Sequence, residues 1–100
     1  MRIEVELFGG QGNFAIVRLP ERQYPGVLFQ GDSLFNLAML ATSVRERAQQ
    51  TADADLVDEA TELHELLWEA LLHYEAELES RALRLPYLRP KQNGEPPVKP

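Results

Sequence analysis

ADLVDEATELHELLWEALLHYEAELESRAL, residues 54–83, decides the architecture. Leu56, Ala60, Leu63, Leu67, Ala70, Tyr74 and Leu78 recur at steps of four and three, the spacing that brings side chains to one face of an α-helix. Leu71 joins this stripe, and Val57, His64 and Trp68 widen it on one side. With Leu66 the apolar arc takes in about half the circumference at about 100° per residue. The opposite face carries Asp58, Glu62, Glu65 and Glu69. Such a helix is about 45 Å long. Its last turns must pack on other elements, leave the body, or meet another chain.

Upstream, Thr51 to Asp55 is a break rich in capping residues. Before it a shorter helix is expected, capped at Asp32 or Ser33 and running to about Gln50, with Leu34, Leu37, Ala38, Ala41, Val44 and Ala48 as its stripe. Phe35, Met39 and Leu40 make its first two turns apolar nearly all round. At the N-terminus Ile3, Val5 and Leu7 alternate with Arg2, Glu4 and Glu6, the period of a half-buried strand. Gly9, Gly10, Gln11, Gly12 and Asn13 interrupt it, and Phe14 to Leu19 reads as a second strand joined by a tight connection. Pro20 ends that strand, Tyr24-Pro25-Gly26 is a turn, and Val27 to Gln30 is a short third strand.

The pattern predicts an α+β domain over residues 1–85 in β-β-β-α-α order. A small antiparallel sheet, a β-hairpin plus the short third strand, is expected to pack one face on an antiparallel two-helix hairpin. Residues 86–100 contain Pro90, Pro96, Pro97, Pro100 and Asn93-Gly94 and read as a Pro-rich flexible tail. A sheet this small buries little and the long helix has a wide apolar arc, so a symmetric homodimer is expected; if the chain is an assembly subunit without a ligand, the interface runs along Val57, Trp68 and Leu72.

Charge is distributed unevenly. Residues 51–82 hold ten acids and one base, Arg81, whereas residues 1–50 balance five against five. With a net charge of −6 the chain lacks the basic footprint of nucleic-acid binding. No apolar run approaches the length of a membrane span, and the N-terminus alternates at once, unlike a signal peptide. There are no cysteines, which excludes disulfides and thiolate metal sites. Together these predict a cytoplasmic protein with no nucleic-acid or membrane partner.

Three short motifs suggest chemistry and fail on spacing. Gly31-Asp32-Ser33-Leu34 spells the signature of the GDSL esterases. A nucleophilic Ser needs a base within hydrogen-bond reach, and the chain has no Asp-x-x-His. A helix cap is the simpler reading. Gly10-x-Gly12-x-x-Ala15 matches a relaxed dinucleotide fingerprint, but strand-like Ala15-Ile16-Val17 follows where a helix N-terminus must stand. His64-Glu65-Leu66-Leu67-Trp68 resembles half of a zincin motif with Trp68 in place of the second His. Glu69 and His73, one turn apart, read as a surface pair. No catalytic residue, metal ligand or cofactor is therefore assigned.

Val17-Arg18-Leu19-Pro20, Arg22, Tyr24-Pro25-Gly26-Val27 and Gln30-Gly31-Asp32-Ser33-Leu34 form a block that resembles a group of small uncharacterised bacterial proteins. That group shares Arg, (Tyr/Phe)-Pro-Gly and Gln-Gly-Asp-(Ser/Thr)-Leu, and the likeness covers roughly residues 2–85. The resemblance brings no activity with it. It implies the company of small acidic antitoxins and immunity proteins, by association alone.

Three readings of function stand open. The acidic face of the long helix, Asp58, Glu62, Glu65 and Glu69, is the surface of a protein-interaction module that neutralises a basic protein partner. Alternatively, Arg18, Arg22, Tyr24, Gln30 and Asp32 form an exposed strand–turn edge that binds a small molecule, with Arg18 and Arg22 also able to pair with the acidic helix. In the third reading the chain is a structural homodimer or assembly subunit without a ligand.

Overall fold

The computed structural model describes residues 1–10 and 12–89. It holds three strands, β1 (Glu6–Gly9), β2 (Phe14–Arg18) and β3 (Gly26–Phe29), followed by two helices, α1 (Gly31–Ala48) and α2 (Ala54–Ser80). The class and the element order are those the patterning implies. The boundaries shift by a few residues, most of all in β1, where the ladder begins only at Glu6 although the alternation begins at Ile3.

The sheet is a meander in the order β1-β2-β3, antiparallel throughout. Leu7 lies opposite Val17, but Gly9 lies opposite Ile16, so one extra residue bulges β1 at Phe8. Gly10 carries φ +129°, and a Cβ there would run into the backbone of Phe14 and Ala15, so the turn requires glycine. Between β2 and β3 the register pairs Phe14 with Phe29, Ala15 with Leu28, and Ile16 with Val27.

The helices form the body. Asp53 caps α2, its carboxylate accepting from the Leu56 amide at 3.1 Å, and Thr51 closes the end of α1 by donating to the Ala48 carbonyl at 2.6 Å. Three alanines of α1, Ala38, Ala41 and Ala48, are buried against Ala60, His64, Trp68 and Leu71 of α2. Their small side chains let the helices approach closely enough to seat the indole. Trp68 is fully buried, and its Nε1–H donates to Thr42 Oγ1 at 2.8 Å while Thr42 donates on to the Ala38 carbonyl at 3.0 Å. The one polar atom of the largest buried side chain is thus satisfied.

The chain ends α2 with a left-handed residue, Ala82, at φ 55°, and the Leu83 amide donates to the Leu78 carbonyl at 2.9 Å. It then turns back along the helices. Leu85, Tyr87 and Arg89 point inward, while Pro86 and Leu88 are exposed. Tyr87 stacks on Phe35 with ring centroids 4.1 Å apart, and the Arg89 guanidinium lies 4.8 Å above the Trp68 ring. Glu75 accepts from Tyr87 Oη at 2.7 Å and from Arg89 Nε at 2.8 Å. Residues 86–89, assigned to the tail on composition, are therefore a strap packed on the core. The rest of the expected tail, 90–100, lies outside the described residues.

Three expectations are corrected. The sheet does not lay a face on the helices: the core and the side chains around it come from α1, α2 and Tyr87, and no strand residue is buried. The reason is the connection. Gln30 alone separates β3 from α1, and its amide donates to the Asn13 carbonyl at 2.9 Å, tying it to the sheet. A one-residue link cannot reverse the chain onto a helix flank. Second, α1 starts at Gly31 with Gln30 as a cap residue lacking a side-chain bond, and the Asp32 carboxylate accepts only from the neighbouring Ser33 amide. Gly31 is buried beneath the Tyr74 hydroxyl, where a Cβ would collide with that ring. Close approach of α2, not a cap, explains the glycine. Third, Trp68 belongs to the core of the single chain and is not available to an interface.

Candidate functional site

α2 positions its acids by rotation alone. Asp58, Glu62, Glu65 and Glu69 follow one another at steps of four, three and four, which keeps them within an arc of about 60° and a row about 16 Å long. All four are exposed, and none forms an ion pair among the described residues. They border the flank that carries the strap. On their other side Leu66 and Leu63 are also exposed, so the outer surface of α2 alternates carboxylates with leucines.

The strand–turn edge is less unified. Arg18 makes a bidentate pair with Glu6 across the β1–β2 ladder, at 3.0 Å from Nε and 2.8 Å from Nη2. This hydrogen-bonded arginine holds the Glu6 carboxyl below its ordinary range and raises the guanidinium's own pKa. Arg18 therefore serves the sheet, not the acidic helix. Glu4, Glu6, Arg18, Glu21 and Arg22 line a shallow concavity of about 400 Å³. Tyr24, 76 % exposed, and Gln30 and Asp32, both exposed, are not part of its lining. The five residues grouped by sequence are thus divided, with only Arg18 and Arg22 sharing the concavity. Carboxylates outnumber guanidiniums in it, an environment unsuited to an anionic ligand.

His64 is the buried titratable group. It has no exposed surface; Arg45 Nη1 lies 3.4 Å from Nδ1, so Nδ1 is the acceptor and Nε2 carries the proton. No acceptor meets Nε2 among the described residues. Burial, then the Arg45 charge, pushes its pKa below 6.5 and keeps the ring neutral. His73 lies exposed on another face, and no group of three or more potential metal ligands gathers among the described residues. No helix among them is long and apolar enough to cross a membrane.

Sequence reasoning missed two features. The strap could have been found from the alternation of Leu85, Tyr87 and Arg89, which Pro86 and Pro90 obscure. The open sheet had no signal, because period-two alternation names a face without naming what covers it.

Fold and surface define a small α+β domain with a helical core, an uncovered sheet and an acidic outer helix. The chain belongs to a family of unknown function, DUF6959, whose model matches residues 1–87. No curated protein matches it. No solved structure matches it either. Membership of an uncharacterised family is consistent with the resemblance in the sequence, and the matched span runs into the strap.

Proposed function

We propose that the chain is a protein-interaction module of a bacterial cell, with the character of an immunity protein or antitoxin, that neutralises a basic protein partner through the outer face of α2. The observation that carries this reading is the row Asp58, Glu62, Glu65 and Glu69, exposed on one rigid 27-residue helix and left without ion pairs among the described residues. Fixed carboxylates on a preformed helix cost little ordering entropy on binding and steer a cationic surface from a distance. The chain then acts by occupying its partner's basic surface, with no chemistry of its own.

The test is affinity capture from the native host at low and high salt, beside a chain carrying Glu62→Lys, Glu65→Lys and Glu69→Lys. A single basic protein, released by salt and weakened tenfold or more by the charge reversal, is the expected result. Recovery unaffected by either change would overturn the reading.

A further inference from the structure

Of the apolar surfaces left open among the described residues, two are of complementary kinds. One face of the sheet gathers Phe8, Phe14, Ile16, Val27 and Phe29: the register sets Phe14 against Phe29 and Ile16 against Val27, and the bulge turns Phe8 onto the same side, under the Arg18 guanidinium. Phe8, Phe14, Val27 and Phe29 are each 48 to 55 % exposed, and the Phe14 and Phe29 rings meet at 6.2 Å. The second face lies on the helices. Leu40 and Val44 sit about 100–140° behind the buried line of α1, and Leu56 and Leu63 about 80–100° behind that of α2. In an antiparallel pair the same sense of rotation falls on the same flank. Thr42 opposite Trp68 and Arg45 opposite His64 bring Val44 level with Leu63 and Leu66. Leu40, Val44, Leu56, Leu63 and Leu66 are 40 to 61 % exposed. The strap covers the other flank, through Phe35, Trp68 and Glu75.

We propose that a second copy of the chain covers both faces at once: in a two-fold dimer the sheet of each protomer lies on the open helix flank of the other. A sheet on a pair of helices is the ordinary two-layer solution for burying apolar faces. This chain contains both layers and cannot join them itself, because Gln30 is the whole link between β3 and α1. A two-fold axis joins them and uses each surface once per protomer, so the assembly closes. The size agrees. The exposed side chains named leave on the order of 800 Å² open per protomer, which makes roughly the 1,600 Å² that stable interfaces bury in total. The acids of α2 lie toward the strap flank, so the dimer leaves Asp58, Glu65 and Glu69 in solvent for the partner proposed above.

The experiment is sedimentation equilibrium of the full chain and of two variants, Phe29→Lys on the sheet and Leu40→Lys on the flank, with helical circular dichroism as the check on folding. The wild type is expected to be dimeric. Each variant is expected to raise the dimer dissociation constant about 100-fold or more. An equimolar mixture of the two regains dimer, because one of its two sheet-on-flank contacts is intact. A second measurement needs no disruptive variant. The natural chain has no cysteine, so Phe29→Cys and Leu63→Cys can be placed in separate molecules, mixed and oxidised. The mixed disulfide is expected to exceed either homodisulfide. A wild type that stays monomeric as concentration rises overturns the proposal. So does a flank variant that dimerises normally, which would mark a sheet-on-sheet pair, and so does random cysteine pairing.

Discussion

The helical hairpin and the sheet are both rich in apolar residues and meet opposite fates. In the hairpin, alanines on one helix admit Trp68 from the other, the indole finds a hydroxyl, and a strap returns to close one side. In the sheet, five phenylalanine, isoleucine and valine residues share a face on which none is buried. The difference lies in connection length, not in hydrophobicity. Five residues join the helices and let them fold onto each other, whereas Gln30 alone joins the sheet to α1. Apolar patterning states what needs covering, and loop length decides whether the same molecule can cover it.

The sharpest test of this contrast is truncation on each side. Trp68→Ala is expected to cost about 3–5 kcal/mol in urea unfolding, since it leaves a cavity between alanines that cannot collapse into it. Phe29→Ala, at a comparable apolar position in the sheet, is expected to cost under about 1 kcal/mol in dilute solution. Equal losses would show that the sheet contributes to the core of the single chain.

Removing the acceptor beneath the strap is the next largest effect. Glu75→Ala deprives both Tyr87 and Arg89 of a hydrogen-bond partner and is expected to cost about 2 kcal/mol. Hydrogen exchange at residues 85–89 should accelerate while the amides around Ala41 and Leu71 stay protected. The Tyr87 hydroxyl, half-buried and bonded to that carboxylate, is raised above its usual pKa, so it should stay protonated in alkali above the ordinary range of a tyrosine.

The hairpin should also respond to acid through His64. Its folded pKa is lowered, so below 6.5 the unfolded chain takes up a proton that the folded chain refuses. Stability is therefore full above that range and falls as pH drops through it, by at most about 1.4 kcal/mol per pH unit. His64→Leu is expected to flatten the slope between pH 7 and 5. A wild type with no slope there would mean that the ring protonates in place.

One further expected effect is a gain. Ala82 occupies the left-handed region that favours glycine, and Ala82→Gly should raise stability by about 1 kcal/mol, read as a higher calorimetric midpoint. It touches only the end of α2, so a change at the sheet would contradict the separation of the two regions.

How far the sequence could be read follows the same division. The stripe from Leu56 to Leu78 gave α2 to within three residues at its end, because helical period and burial report the same packing. The acidic row was equally legible, since exposure follows from being opposite the stripe. The cap at Asp32 or Ser33 was misread because a short polar side chain after Gly31 satisfies the local rule, while the decisive contact, Tyr74 over Gly31, comes from far along the chain. Arg18 reads, on charge alone, as able to pair with the acidic helix, when its partner Glu6 lies on the neighbouring strand. The strap was hidden by its prolines, which mark both an extended packed segment and a loose one.

Trp68 is the one tryptophan in the chain, and it lies between the helices with a guanidinium over its ring. Every photon of indole emission therefore reports the hairpin and the strap packed on it. A spectral transition followed at that wavelength will describe α1, α2 and the strap, and will be silent on whether the strands have already come apart.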